Sequence, residues 1–140
     1  MKQITRITLA SFFLIMVSCE DNNNNEEVLA EFGSISGTVN FSGSWPDSGE
    51  VLITLDTSYP PQGPPAAFSY ITSDDISNGV YNYNFSDLSF RSYEAITVTY
   101  WSLGYATAGT NYSLIGSYIE AIDVSQDTPD ITIDMDATFD

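Results

Sequence analysis

Asp130-Ile131-Thr132-Ile133-Asp134-Met135-Asp136 is the stretch whose reading decides the fold. Ile131, Ile133 and Met135 alternate with Asp130, Thr132, Asp134 and Asp136. A period of two gives one apolar face and one acidic face, which is the pattern of a half-buried strand. Working outward, the same period recurs. Ile35, Gly37, Val39 and Phe41 share one face, with Ser36, Thr38 and Asn40 on the other. Val51, Ile53 and Leu55 alternate, as do Tyr81, Tyr83 and Phe85. Phe68 to Thr72 is short and aromatic, and Tyr112 to Ile122 is apolar. Tyr93 to Trp101 is rich in Thr, Val and aromatics, with Ile96, Val98 and Tyr100 in line.

Turn chemistry separates these runs. Ser42-Gly43-Ser44, Trp45-Pro46-Asp47-Ser48-Gly49, Asp74 to Gly79 and Asp127-Thr128-Pro129-Asp130 combine glycine, proline and Asx residues. No segment sustains a helical period with caps. The expectation is an all-β body, a single β-sandwich of about seven strands. Sheet edges are commonly guarded by lysine; here Asp and Glu on outward faces must serve.

The 140 residues carry 3 Lys+Arg, 19 Asp+Glu and no histidine, a formal net charge of −16. Without histidine, Ser-His-Asp and Cys-His nucleophile systems are excluded, as are histidine metal sites. Met1 to Arg6 is basic, Ile7 to Val17 is apolar, and Ser18 precedes Cys19, the only cysteine. This is the layout of a secretory signal, too short to span a bilayer. We read residues 1–18 as signal peptide, 19–33 as an acidic disordered tether and 34–140 as the sandwich domain. Loss of Lys2 and Arg6 with the signal leaves Arg91 against 19 acids, a side-chain net of 1 − 19 = −18. Such a surface repels nucleic acid and anionic head groups.

Met16-Val17-Ser18-Cys19 resembles a bacterial lipobox. The resemblance implies cleavage between Ser18 and Cys19 and a covalent lipid on Cys19. Each buried methylene adds about 0.8 kcal/mol, so two or three acyl chains make a lasting membrane anchor. The acids after Cys19 resemble the export signal of surface-displayed lipoproteins. The implied location is the bacterial cell envelope, lipid-anchored at the outer membrane and surface-exposed.

Ile35-Ser36-Gly37-Thr38-Val39 resembles the opening strand of carboxypeptidase-regulatory-like domains. Val51 to Leu55, the acidic turn Asp74 to Gly79, the run Val80 to Leu88, Tyr93 to Val98, Gly104-Tyr105 and Ile131 to Met135 continue the likeness. It covers most of residues 34–136 and implies a prealbumin-like, transthyretin-like sandwich. Arg91 stands where that family usually has glycine, and Leu103 to Tyr112 is longer than its usual connection. Such domains serve as structural or adhesive modules and bring no catalytic residues.

Two side-chain sets remain as site candidates. Trp45, Tyr59, Trp101, Tyr105 and Tyr112 fall at predicted loops or strand ends, where aromatic platforms for glycan or peptide would sit. The plainer reading has Trp45 and Trp101 capping the two ends of the core. Tyr59-Pro60-Pro61-Gln62-Gly63-Pro64-Pro65 is stiff and extended; it presents a polyproline surface or simply stops a strand. Asp74, Asp75 and Asn78 in one turn, and Asp123, Asp127 and Asp130 about another, are candidate calcium ligands. Turn capping, with Gly79 at positive φ, explains the first group equally. The expectation is a non-enzymatic binding, structural or adhesion module without cofactor. Its partners would be the membrane, through Cys19, and an envelope protein or glycan. A surface glycan-binding protein and a calcium-dependent adhesive module are the alternatives.

Overall fold

The computed structural model describes residues 27–140 except Ala108. The signal segment, Cys19 and the first part of the tether therefore lie outside the described residues. Val28, Leu29 and Phe32 are exposed and precede the first strand.

The chain is all-β. Its strands are β1 (Gly33–Ser42), β2 (Glu50–Asp56), β3 (Ala67–Ile71), β4 (Val80–Leu88), β5 (Arg91–Tyr93), β6 (Ala95–Trp101), β7 (Ser113–Tyr118), β8 (Ile122–Val124), β9 (Asp130–Thr132) and β10 (Met135–Thr138). Every run expected from alternation is present, but three of them are each divided in two. Tyr93 to Trp101 divides at Glu94, and Tyr112 to Ile122 breaks after Tyr118. The separated pieces β5 and β8 pair with each other as a small two-stranded sheet.

Two four-stranded sheets form the sandwich. The first has the order β10-β1-β4, with β9 also on β1; the second is β3-β2-β6-β7. β1 runs antiparallel to β4 and parallel to β9 and β10. Ile35, Val39, Tyr83, Phe85, Met135 and Ala137 of the first sheet meet Val51, Ile53, Leu55, Ile96 and Val98 of the second in one core. One end of that core is closed by aromatics. Trp45 lies edge-on to Phe41 (5.4 Å) and Phe139 (5.0 Å), and Tyr100 meets Phe139 at 6.0 Å. At one side the sheets nearly touch: a Cβ on Gly116 of β7 would lie 2.5 Å from the Asp136 carbonyl oxygen of β10.

The deciding stretch has a kink in its middle. The offset between β1 and its parallel partner stays constant from Ser36↔Thr132 to Val39↔Met135, so no residue is inserted. Instead the Ile133 carbonyl turns out of the ladder and accepts the buried Tyr83 hydroxyl at 2.6 Å. Thr38 N–H donates to Asp134 Oδ1 at 2.8 Å, a side chain supplying the acceptor the backbone withdrew. The turned carbonyl fills the place where a Cβ on Gly37 would stand. Burial, and secondarily the Asp134 charge, pushes the Tyr83 phenol well above its ordinary pKa.

The outer faces of the two sheets differ in chemistry. The first carries Ser36, Thr38, Asn40, Asn82, Asn84, Thr132, Asp134 and Asp136 in adjacent registers. Its polar groups bond across strands, as in Asn40 Nδ2 to Asp136 Oδ1 at 3.2 Å. The second carries Phe68 and Tyr70 on β3, then Leu52, Thr54 and Asp56 on β2, and Thr97, Thr99 and Trp101 on β6.

Candidate functional site

A groove of about 250 Å³ runs over the outer face of the second sheet. Period two builds its floor. Val51, Ile53 and Leu55 point to the core, so Leu52, Thr54 and Asp56 must point away; Thr97, Thr99 and Trp101 do likewise opposite Ile96 and Val98. The β2–β6 register pairs Thr54 with Thr97, and their hydroxyls lie 2.8 Å apart. Thr54 Oγ1 donates to Asp56 Oδ2 at 3.0 Å. The Trp101 indole N–H donates to Thr99 Oγ1 at 2.8 Å.

One wall is the proline-rich loop, with Tyr59, Pro60, Pro61, Gly63 and Pro65 lining the groove. It is fixed where the Tyr59 N–H donates to Glu94 Oε2 at 2.9 Å. Glu94 is the residue between β5 and β6, and its own N–H donates to the Asp56 carbonyl at 2.9 Å. The opposite wall is the segment between β6 and β7. Tyr105 stands edge-on to Trp101 at 5.0 Å, and Tyr112 lies tilted over it at 4.6 Å. This wall is fixed by the Tyr105 N–H, which donates to Glu50 Oε2 at 2.6 Å. Thr107 Oγ1 closes the turn onto the Leu103 carbonyl. The two walls thus hang from carboxylates on the strand ends, through charge-assisted bonds to backbone N–H groups.

Four of the five aromatic candidates come together here: Tyr59, Trp101, Tyr105 and Tyr112. Trp101 is 8% exposed and forms a small cluster with Leu52 on the outer face, so it does not cap the main core. Tyr105 and Tyr112 keep 40% and 46% of their surface exposed. Trp45 is the correction. It packs on Phe41 and Phe139 at the core's end, because the turn after β1 folds back over that opening.

The acidic candidates do not converge. Asp75 Oδ2 accepts both the Thr72 N–H (2.8 Å) and the Thr72 hydroxyl (2.7 Å), a capping box on the short 3-10 turn Ser73–Asp75. Those bonds favour its ionised form and hold its carboxyl below the usual range. Asn78 and Gly79 take positive φ of 52° and 77° to complete the turn, and Asp74 is exposed beside them. Asp130 Oδ1 accepts the Ser34 hydroxyl at 2.7 Å. Asp123 lies on β8, and Asp127 sits exposed in the turn that follows. Among the described residues, no group of three or more Asp, Glu, His or Cys side chains is placed to hold a metal ion.

Asp56 is the site residue that alternation alone did not single out. It is a carboxylate only 4% exposed, and burial raises its pKa while the Thr54 bond pulls it partly back. Reading the odd and even faces of β2 together marks Asp56 as outward. Its burial was not legible in that alternation; the proline loop lines the same groove. Compared with family models, curated proteins and solved structures, the chain matches none.

Proposed function

We propose that this chain is a lipid-anchored, non-enzymatic binding module of a bacterial envelope. Its ligand, in this reading, is a short glycan lying in the groove over the second sheet. One observation carries it: the outer face of one sheet is a polar lattice bonded to itself, while the other gathers exposed rings around a hollow. Sugar rings stack on tyrosine faces, and the floor hydroxyls of Thr54, Thr97 and Thr99 suit saccharide hydroxyls. The volume falls below the roughly 300–1,000 Å³ of enclosed ligand sites, which suits a ligand left partly in water.

The lining supports binding without catalysis. Glycoside hydrolysis by the common route needs two carboxyl groups flanking the bond, and Asp56 is, among the described residues, the one carboxylate that lines the groove. The anchor at Cys19 and the carboxypeptidase-regulatory-like assignment of residues 34–136 rest on sequence resemblance alone. The test is a titration of tryptophan emission against a panel of neutral oligosaccharides. Saturable change, lost in Tyr112→Ala and Tyr105→Ala, is expected. A flat response across the panel, with the fold intact by circular dichroism, would end the glycan reading.

A further inference from the structure

We propose that Asp56 makes the groove selective for a saccharide bearing a free, protonated amine. This rests on the groove being the binding site. A buried carboxylate is costly unless it is paired, and Asp56 has no cationic partner among the described residues. Arg91, the only Lys or Arg among the described residues, lies over the Tyr93 ring at 5.8 Å and lines a different hollow.

The hydrogen bonds on the floor have a direction. Thr54 has one proton and gives it to Asp56 Oδ2, so Thr97 must donate to Thr54. Among the described residues no donor bonds to Oδ1. No fully buried side-chain oxygen among the described residues lacks a partner, so Oδ1 keeps some accessible surface, and Asp56 lines the groove. The Asp56 end therefore offers acceptors and a negative charge, and Tyr59 and Pro60 line the same groove. An ammonium brings three donors and a positive charge, and an aromatic face adds cation–π attraction. The other end, at Leu52 and Trp101, lies four residues along β2, roughly 13 Å at strand rise. An extended saccharide spans that length with a ring under Tyr112 and an amine at Asp56. A net charge of −16 raises the local concentration of cationic ligands at the groove mouth.

The experiment uses Trp45→Phe, which leaves Trp101 as the sole tryptophan reporter. Fully deacetylated and fully acetylated oligomers of N-acetylglucosamine, equal in length, are titrated at mildly acidic pH and physiological salt. The deacetylated oligomer is expected to bind about tenfold more tightly, a difference of about 1.4 kcal/mol. Asp56→Asn should abolish that preference, so that the two oligomers bind alike. Equal affinity for both oligomers would overturn the amine selectivity while keeping the groove as a glycan site. Binding of neither would remove the groove reading as well. A preference that survives Asp56→Asn and is competed away by spermidine would reduce the effect to the general acidity of the surface, and sink the role of Asp56.

Discussion

Gly37→Ala tests the kinked ladder at the centre of the first sheet. A Cβ at position 37 would sit 1.8 Å from the Ile133 carbonyl oxygen and 2.6 Å from its carbon, where ordinary contact begins near 3.4 Å. The carbonyl must therefore retreat by about 1.6 Å. The Tyr83 hydroxyl, now 2.6 Å from that oxygen, would lose its acceptor. Forced overpacking costs about 1–3 kcal/mol, and a lost buried hydrogen bond about 1 kcal/mol more. The lower chain entropy of alanine returns less than about 1 kcal/mol. The net loss is about 1–3 kcal/mol, and at roughly 4 °C per kcal/mol the melting temperature falls by about 4–12 °C. Urea unfolding of the wild type, Gly37→Ala, Tyr83→Phe and the double variant forms the assay. Both single changes remove the same Tyr83 bond, so the double variant should cost less than the sum by about 1 kcal/mol. A loss below about 0.5 kcal/mol for Gly37→Ala, or strict additivity in the cycle, would refute the reasoning.

Other expectations concern the core's end, the acids and the groove wall. Trp45→Ala should cost about 2–3 kcal/mol, because it opens the cluster with Phe41 and Phe139; denaturant midpoints measure it, and glycan affinity should not move. Asp56→Asn should raise the melting temperature at neutral pH and have little effect in acid. The raised Asp56 pKa favours its protonated form, so that stability is full below the ordinary 3.8 and is lost as pH rises through the folded value. Asp75 has the opposite sign. Its lowered pKa means stability present above 3.8 and lost as pH falls through the folded value, so Asp75→Asn should flatten the acid limb of the melting curve. Glu94→Gln removes the charged acceptor of the Tyr59 N–H; amide exchange at Tyr59 should speed up and glycan affinity drop a few-fold, about 1 kcal/mol or less, with little change in melting.

Period two was enough to place the strands, because burial of one face is a local demand that each run answers for itself. Ile35, Val39, Ile53, Val98 and Met135 are all inward as the alternation requires. The turn from Asp74 to Gly79 was likewise readable, since Asp75 and Gly79 act on their own neighbours. The same local logic marked Tyr59, Trp101, Tyr105 and Tyr112 as available at loops and strand ends. Their meeting in one groove was decided by the β2–β6 register and by two loops hung from Glu50 and Glu94, contacts between residues far apart in the chain. Trp45 shows the same limit in reverse, since nothing local distinguishes a tryptophan that closes a core from one that lines a groove. Asp56 is buried by its tertiary surroundings, which its place on β2 does not reveal. Side-chain period is carried by each strand alone, whereas register, loop closure and the environment of a carboxylate exist only once the strands have paired.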